Sequence, residues 1–305
     1  MTAMSELPAP LPTRPLHAGG PTVSSVAWGM WRFAGDDVAA ATARVQAALD
    51  AGVTLFDTAD VYGPDNGEPF GAAEALLGRV LAASPGLAKR MVIATKGGIR
   101  PGTPYDSSAE YLTSAIDASL ARMGLQHVAL WQIHRPDILT HPAEIGRALE
   151  AAHAAGKIGA IGVSNFTPSQ IEALAAHSPL PIVATQPEFS PLAIEPISDG
   201  ALDQAIVRGL TVLAWSPMGG GRLGDPKDDR SRAVAKALDA KAAEAGVSRA
   251  VAAYSWIMAH PSRPIPIAGA QTLARIAELA DVHKPRWTRA EWYQVLIASR
   301  GEPLP

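Results

Sequence analysis

Short apolar runs recur along this chain with amphipathic stretches between them, and that alternation constrains the fold more than any other feature. Val23–Trp28, Val53–Phe56, Met91–Thr95, Val128–Ile133, Ile158–Val163, Ile182–Thr185, Leu210–Ala214 and Ile265–Ile267 read as strands. They are short and apolar throughout, so they read as strands buried on both faces. Helical stretches separate them. Asp36 or Asp37 caps a helix that runs through Val45 and Leu49 and stops at Gly52. Ala72–Leu81, Ser108–Met123, Pro142–Ala155 and Leu202–Arg208 follow the same pattern, as do Ser231–Ala245, Ser248–His260 and Leu273–Val282. Thr167-Pro168-Ser169-Gln170 and Thr288-Arg289-Ala290-Glu291 are capping boxes, and the second starts a C-terminal helix.

Alternation of this kind predicts an α/β protein with a parallel sheet inside and helices outside. Roughly eight such units, with no break in composition, favour a single (β/α)8 TIM barrel with an additional C-terminal helix over a two-domain doubly wound fold. The barrel is expected over residues 22–305, after an extended arm over residues 1–21 that carries Pro8, Pro10, Pro12, Pro15 and Pro21. The arm lacks the apolar core of a signal peptide, and no apolar run reaches membrane-spanning length, so a cytoplasmic protein is expected. The net charge of −3 points to neither nucleic acid nor membrane as a partner. The chain has no cysteine, which removes disulfides, thiolate zinc sites and thiol nucleophiles together. Its histidines show no His-Glu-x-x-His spacing, so no metal site is expected.

Polar residues stand where the apolar runs end. Asp57 follows Phe56, Lys96 follows Thr95, His134 follows Ile133, and Tyr62 lies in the loop after Asp57. In a parallel barrel these strand ends meet at one mouth. Singly, each has an ordinary reading: Asp57 as a helix cap, Tyr62 as rim packing, His134 as a turn residue. Together they form an acid–base set. A phenol has a reference pKa of about 10, and an adjacent ammonium such as Lys96 would lower it toward useful acidity. Asp57 would hold that ammonium, and His134 could orient a substrate oxygen.

On these residues the chain resembles an aldo-keto reductase. The motifs are Phe56-Asp57-Thr58-Ala59-Asp60-Val61-Tyr62-Gly63, Ala94-Thr95-Lys96-Gly97-Gly98 and Trp131-Gln132-Ile133-His134-Arg135-Pro136-Asp137. The resemblance implies a tetrad of Asp57, Tyr62, Lys96 and His134, and a carbonyl substrate reduced by NADP(H). Gly162–Phe166 is similar to the family's carboxamide-binding segment, which implies cofactor contacts at Ser164 and Asn165, with Gln186 as the next. Trp215 stands where the family stacks an aromatic ring on nicotinamide. Ser216, Met218, Gly220 and Arg222 fall in the loop that would close over the pyrophosphate, and Gly29 and Met30 in the first one. Gly269, Thr272 and Arg275 would meet the adenosine phosphate. The segment Gly269-Ala270-Gln271-Thr272 lacks the family's usual basic residue, so NAD(H) is also admitted. Trp31 is expected to line the substrate pocket beside Tyr62 and His134. The Gly-Gly-Gly-Arg-Leu loop and the Arg-Ala-Glu-Trp-Tyr ending resemble the shorter bacterial branch.

Gly219, Gly221 and Gly224 also match G-x-G-x-x-G literally. No helix opens there, since Asp225-Pro226 follows, so a dinucleotide fold of that type is not expected. Two other functions share these residues. One is a lyase or aldolase that forms a Schiff base at Lys96. The other is a nucleotide-sensing subunit without catalysis. The oligomeric expectation is a monomer or weak oligomer.

Overall fold

The computed structural model describes residues 6–305, so residues 1–5 of the expected arm lie outside them. β1 (Thr13–Pro15) and β2 (Thr22–Ser24) form an antiparallel hairpin at the start of the described chain. Eight parallel strands then close a barrel. In chain order they are β3 (Ala27–Gly29), β4 (Leu55–Asp57), β5 (Val92–Gly97), β6 (Val128–Ile133), β7 (Ile158–Ser164), β8 (Ile182–Gln186), β9 (Thr211–Ala214) and β10 (Ile265–Ala268). β10 pairs with both β9 and β3, which completes the ring.

Alternation along each strand divides the side chains into two apolar cores. Ala27, Leu55, Ala94, Leu130, Ala160, Ala184, Leu213 and Ile265 point inward and fill the barrel with a mixture of small and branched groups. Trp28, Phe56, Trp131, Ile133, Ile161 and Val212 point outward and pack under the helices. The helices are α1 (Val38–Asp50), α2 (Ala72–Ala83), α3 (Ala109–Met123), α4 (Pro142–Ala154), α5 (Pro168–Ala175), α6 (Ala201–Arg208), α7 (Asp229–Ala245), α8 (Arg249–Met258), α9 (Leu273–Ala277) and α10 (Arg289–Arg300). Asp37 caps α1 by accepting from the Ala40 amide at 2.9 Å. Both expected capping boxes form, at Thr167 and Thr288, and a third forms at Asp228.

The hairpin plugs the barrel at the strand-start end. Leu16, in its turn, is fully buried within the inner core, and its carbonyl accepts from Thr211 Oγ1 at 2.6 Å. α7 and α10 lie together outside the ring. Lys241 of α7, only 3% exposed, donates to Glu291 Oε1 and to the Arg286 carbonyl, each at 2.7 Å. Trp256 of α8 and Trp292 of α10 stack at 4.7 Å, and each indole N–H donates to the other's backbone carbonyl at 3.0 Å.

Three parts of the chain differ from the sequence reading. The described part of the expected extended arm instead turns back at Leu16–Pro21, where the Leu16 amide donates to the Pro21 carbonyl at 2.8 Å, and pairs with Thr22–Ser24. Val23–Trp28 is not one strand. Ser24 Oγ donates to the Val26 carbonyl at 2.7 Å and accepts from the Thr54 amide at 2.8 Å, so hydroxyl bonds replace the ladder and the chain turns from hairpin to barrel. Leu273–Val282 is not one α-helix either. α9 ends at Ala277 and tightens into a 3-10 turn over Glu278–Asp281.

Candidate active site

The inward face of the barrel changes from apolar to polar one pleat below the mouth. Leu55 is followed on that face by Asp57, Ala94 by Lys96, Leu130 by Gln132 and Ala184 by Gln186. Lys96 pairs in register with Gln132, and Gln132 with Gly162. Gly162 leaves little room here: a Cβ would meet Gln132 Cγ and the Ala184 carbonyl at 3.1 Å each, so either neighbour would have to give by a few tenths of an ångström.

Lys96 is fully buried and committed. Its ammonium donates to Asp57 Oδ2 at 2.5 Å and to the Thr58 carbonyl at 2.8 Å, and lies 5.0 Å from the centre of the Tyr62 ring. Burial pushes its pKa down, but Asp57 and the Tyr62 phenol outweigh burial, and the net direction is upward. Asp57 is held from the other side by Gln186 Nε2 at 3.0 Å and Gln132 Nε2 at 3.3 Å. Gln186 also donates to Gln132 Oε1 at 3.2 Å. Gln132 is a residue the sequence reading missed. Its signal was parity: Leu130, Gln132 and His134 alternate on one face of β6 and the residue after it.

The structure brings Tyr62 and His134 together as well. Their rings meet edge to face at 5.8 Å. The phenol's pKa stands above its ordinary value, contrary to the expected net lowering. Burial is the largest cause; Lys96 pulls the value down, while Asp57 pushes it up. Burial, then the charges of Lys96 and Arg135, holds His134 well below the usual histidine range, so its imidazole is neutral near pH 7. Its Nδ1 is buried and has no hydrogen-bond partner among the described residues.

The other predicted residues fall around the same mouth. Trp215 follows β9, and its indole N–H donates to Asn165 Oδ1 at 2.9 Å. Asn165 Nδ2 donates to Ser164 Oγ at 2.9 Å and to the His134 carbonyl at 3.2 Å. Ser164 Oγ in turn donates to the Gln186 carbonyl at 2.9 Å. Asn165 (φ 61°) and Ser216 (φ 51°) both lie in the left-handed region, where residues other than glycine are uncommon and gather at functional sites. The site therefore offers an indole fixed by its edge, with amides and hydroxyls beside it. That set fits a nicotinamide ring and its carboxamide.

Met30 keeps only its backbone near the mouth. Its side chain is fully buried in the outer core, and its amide donates to the Asp57 carbonyl at 2.9 Å. Gly29 is the last residue of β3. Trp31 is 42% exposed at the rim, with its N–H given to Asp65 Oδ2 at 2.9 Å. After β9, Met218 leads into a 3-10 turn over Gly219–Gly221 that includes Gly220, and Arg222 donates back to the Gly219 carbonyl at 3.0 Å. Gly269 follows β10, Thr272 caps α9, and Arg275 is exposed in the first turns of that helix. A separate cavity of about 540 Å³ is lined in part by His17 and His127. Their Nδ1 atoms lie at hydrogen-bond distance from backbone carbonyls, 3.0 and 2.9 Å away, and the cavity includes no residue of the tetrad.

The aldo/keto reductase family model matches residues 25–296, the span that holds every one of these mouth residues. The chain belongs to that family. Among its relatives is a 6-dehydroglucose reductase of Novosphingobium aromaticivorans, 57% identical over 99% of this chain and 100% of the relative. A 6-dehydroglucose reductase of Agrobacterium fabrum is 36% identical over 92% of this chain and 96% of its own length. The oxidoreductase YdhF of Escherichia coli is 32% identical over 94% and 97%. A thermostable aldo-keto reductase solved with the inhibitor epalrestat superposes with a TM-score of 0.79, covering 94% of this chain and 100% of its own, at 22% identity. That likeness supports the barrel fold. The chain is thus an aldo/keto reductase family oxidoreductase.

Proposed function

We propose that the protein uses NADPH to reduce the aldehyde group of a hydroxyl-rich, sugar-like substrate to the alcohol, with Tyr62 as the proton donor. The observation that carries this reading is the Lys96 ammonium, pinned by Asp57 and the Thr58 carbonyl beside the Tyr62 ring. A reduced nicotinamide supplies the hydride. Trp215, Ser164, Asn165 and Gln186 hold and orient that ring, and Thr272 and Arg275 hold the adenosine phosphate. Lys96 stabilises the phenolate left after Tyr62 gives up its proton. His134, uncharged, directs the carbonyl oxygen toward the phenol. The sugar-like substrate is suggested by the 57% identity to a 6-dehydroglucose reductase.

The test is NADPH oxidation with 6-dehydroglucose set against simple aldehydes, ketones, dicarbonyls and quinones. Turnover that is highest on 6-dehydroglucose is expected. Preference for an unhydroxylated carbonyl would overturn the substrate assignment, and no turnover at all would favour a nucleotide-sensing role. The Schiff-base reading is disfavoured by a specific feature. Its nucleophile must be a neutral amine, whereas the Lys96 ammonium is ion-paired and its pKa is raised.

A further inference from the structure

Two carboxyls of one short segment straddle the strand that carries Lys96. Asp57 grips the ammonium from inside the barrel. Asp60 lies against the same strand beside Trp131, an outward-facing residue of the layer under the helices. A Cβ at Gly97 would stand 2.6 Å from the Trp131 ring and 3.0 Å from Asp60 Oδ2. Glycine at 97 is therefore what lets the carboxyl and the indole close on the strand.

Asp60 is 1% exposed, and among the described residues no side chain hydrogen-bonds its carboxyl oxygens; the Val61 amide is the backbone donor that acts on them. Trp131 Nε1 and Ser107 Oγ are likewise buried and have no partners among the described residues, and Ser107 Oγ stands 3.6 Å from where a Cβ at Gly98 would be. Unpartnered polar groups are rare in folded interiors, so these atoms around one dipeptide call for an account. The neighbouring carboxyl, Glu74, is fully engaged: it accepts from Thr95 Oγ1 at 2.5 Å and from Arg122 Nε at 2.8 Å. The single guanidinium thus serves Glu74. Burial and then Glu74 push the Asp60 carboxyl well above the usual carboxylate range, against the pull of Arg122, the Val61 amide and Lys96. A neutral carboxylic acid is far less costly to bury than a carboxylate, which suits a carboxyl closed in between Gly97 and the Trp131 ring.

Asp60 also belongs to the turn that delivers Tyr62. Its amide donates to the Lys96 carbonyl at 2.9 Å, and the Tyr62 amide donates to the Ala59 carbonyl at 3.2 Å. The Tyr62 carbonyl then accepts from Ala73 at the start of α2, at 3.1 Å. We propose that Asp60 is a positioning residue for the reaction: seated against Gly97, its carboxyl fixes the Thr58–Gly63 turn and so the place of the Tyr62 phenol beside Lys96. The inference rests on the carbonyl-reduction reading.

Asp60→Ala and Asp60→Asn are compared with the wild type in NADPH-dependent turnover and in hydrogen exchange of the peptide spanning Thr58–Gly63. Misplacement of a reacting group by about 1 Å can lower the rate roughly a hundredfold. Asp60→Ala is therefore expected to lower kcat about ten- to a hundredfold with the NADPH dissociation constant little changed. Asp60→Asn, isosteric and uncharged, restores most of kcat. Exchange in the turn quickens in the alanine variant and stays at the wild-type rate in the asparagine variant. Wild-type kcat in Asp60→Ala, equal losses in the two variants, or unaltered exchange would overturn the assignment. If the wild type itself turns over no carbonyl, the reaction reading fails separately, and the exchange comparison still decides whether Asp60 holds the turn.

Discussion

At the scale of single residues, Lys96 shows how burial and charge are balanced in this site. Replacing it with methionine leaves Asp57 buried without its counter-charge and removes the one group that pulls the phenol's pKa down most. In residual alcohol oxidation, where Tyr62 must accept a proton as phenolate, the activity limb should move to higher pH; an unmoved limb would separate Lys96 from Tyr62. Arg275 is exposed, and its guanidinium suits a phosphate. Arg275→Ala should weaken NADPH by roughly ten- to over a hundredfold and NADH far less, the worth of one charge-assisted contact. Quenching of tryptophan fluorescence by each cofactor measures both constants, and equal losses would remove Arg275 from phosphate recognition. Asp60 carries a stability prediction of its own. Its folded pKa is raised, so its contribution is fully present below the unfolded value of about 3.9 and is lost as pH rises through the folded value. Thermal melts of Asp60→Asn should therefore gain on the wild type as pH rises above about 3.9 until the raised folded value is passed, and a constant difference would show that Asp60 titrates normally. Much of this residue set was legible in the sequence, because Asp57, Lys96 and His134 each break an apolar run at its end. Gln132 showed only through its parity with Leu130 and His134, and Asp60 showed nothing of its role. Gln132 lies inside a run that reads as strand, and the neighbours of Asp60, which include Glu74 of α2, Arg122 of α3 and Trp131, come together only in the fold.

At the scale of elements, the hairpin and the outer helix pair add stability from outside the ring of strand ends. Leu16 fills the barrel floor, so Leu16→Ala should destabilise by about 2–5 kcal/mol, the range for opening a cavity in a packed core. Chemical denaturation would read this, and a loss well under 1 kcal/mol would mean the floor refills. The sequence showed the arm's prolines but not that the arm reverses and pairs. An apolar run does not reveal which backbone it bonds to, and Ser24 is where a hydroxyl takes over from the ladder. The same limit explains α9. The periodicity continues through Leu279 and Val282, whereas the 3-10 tightening over Glu278–Asp281 depends on packing against the rest of the ring. By contrast, the capping boxes at Thr167 and Thr288 act within four residues, and both were readable.

At the scale of the whole molecule, the barrel converts a rhythm in the sequence into a convergent site. Closure of β10 on β3 sets the strand ends in one ring, and the inner face turns polar at the level of Lys96, Gln132 and Gln186. No described helix is long and apolar enough to cross a membrane. The central claim is that this ring places one proton donor, Tyr62, over one buried ammonium, and it is tested most directly by kcat and NADPH affinity of Tyr62→Phe. Loss of the hydroxyl should lower turnover by roughly 10²–10⁴-fold, the usual worth of general acid catalysis, with the NADPH dissociation constant nearly unchanged. A variant that kept more than about half of the wild-type turnover would contradict the account, because general acid catalysis of that worth could not then come from Tyr62.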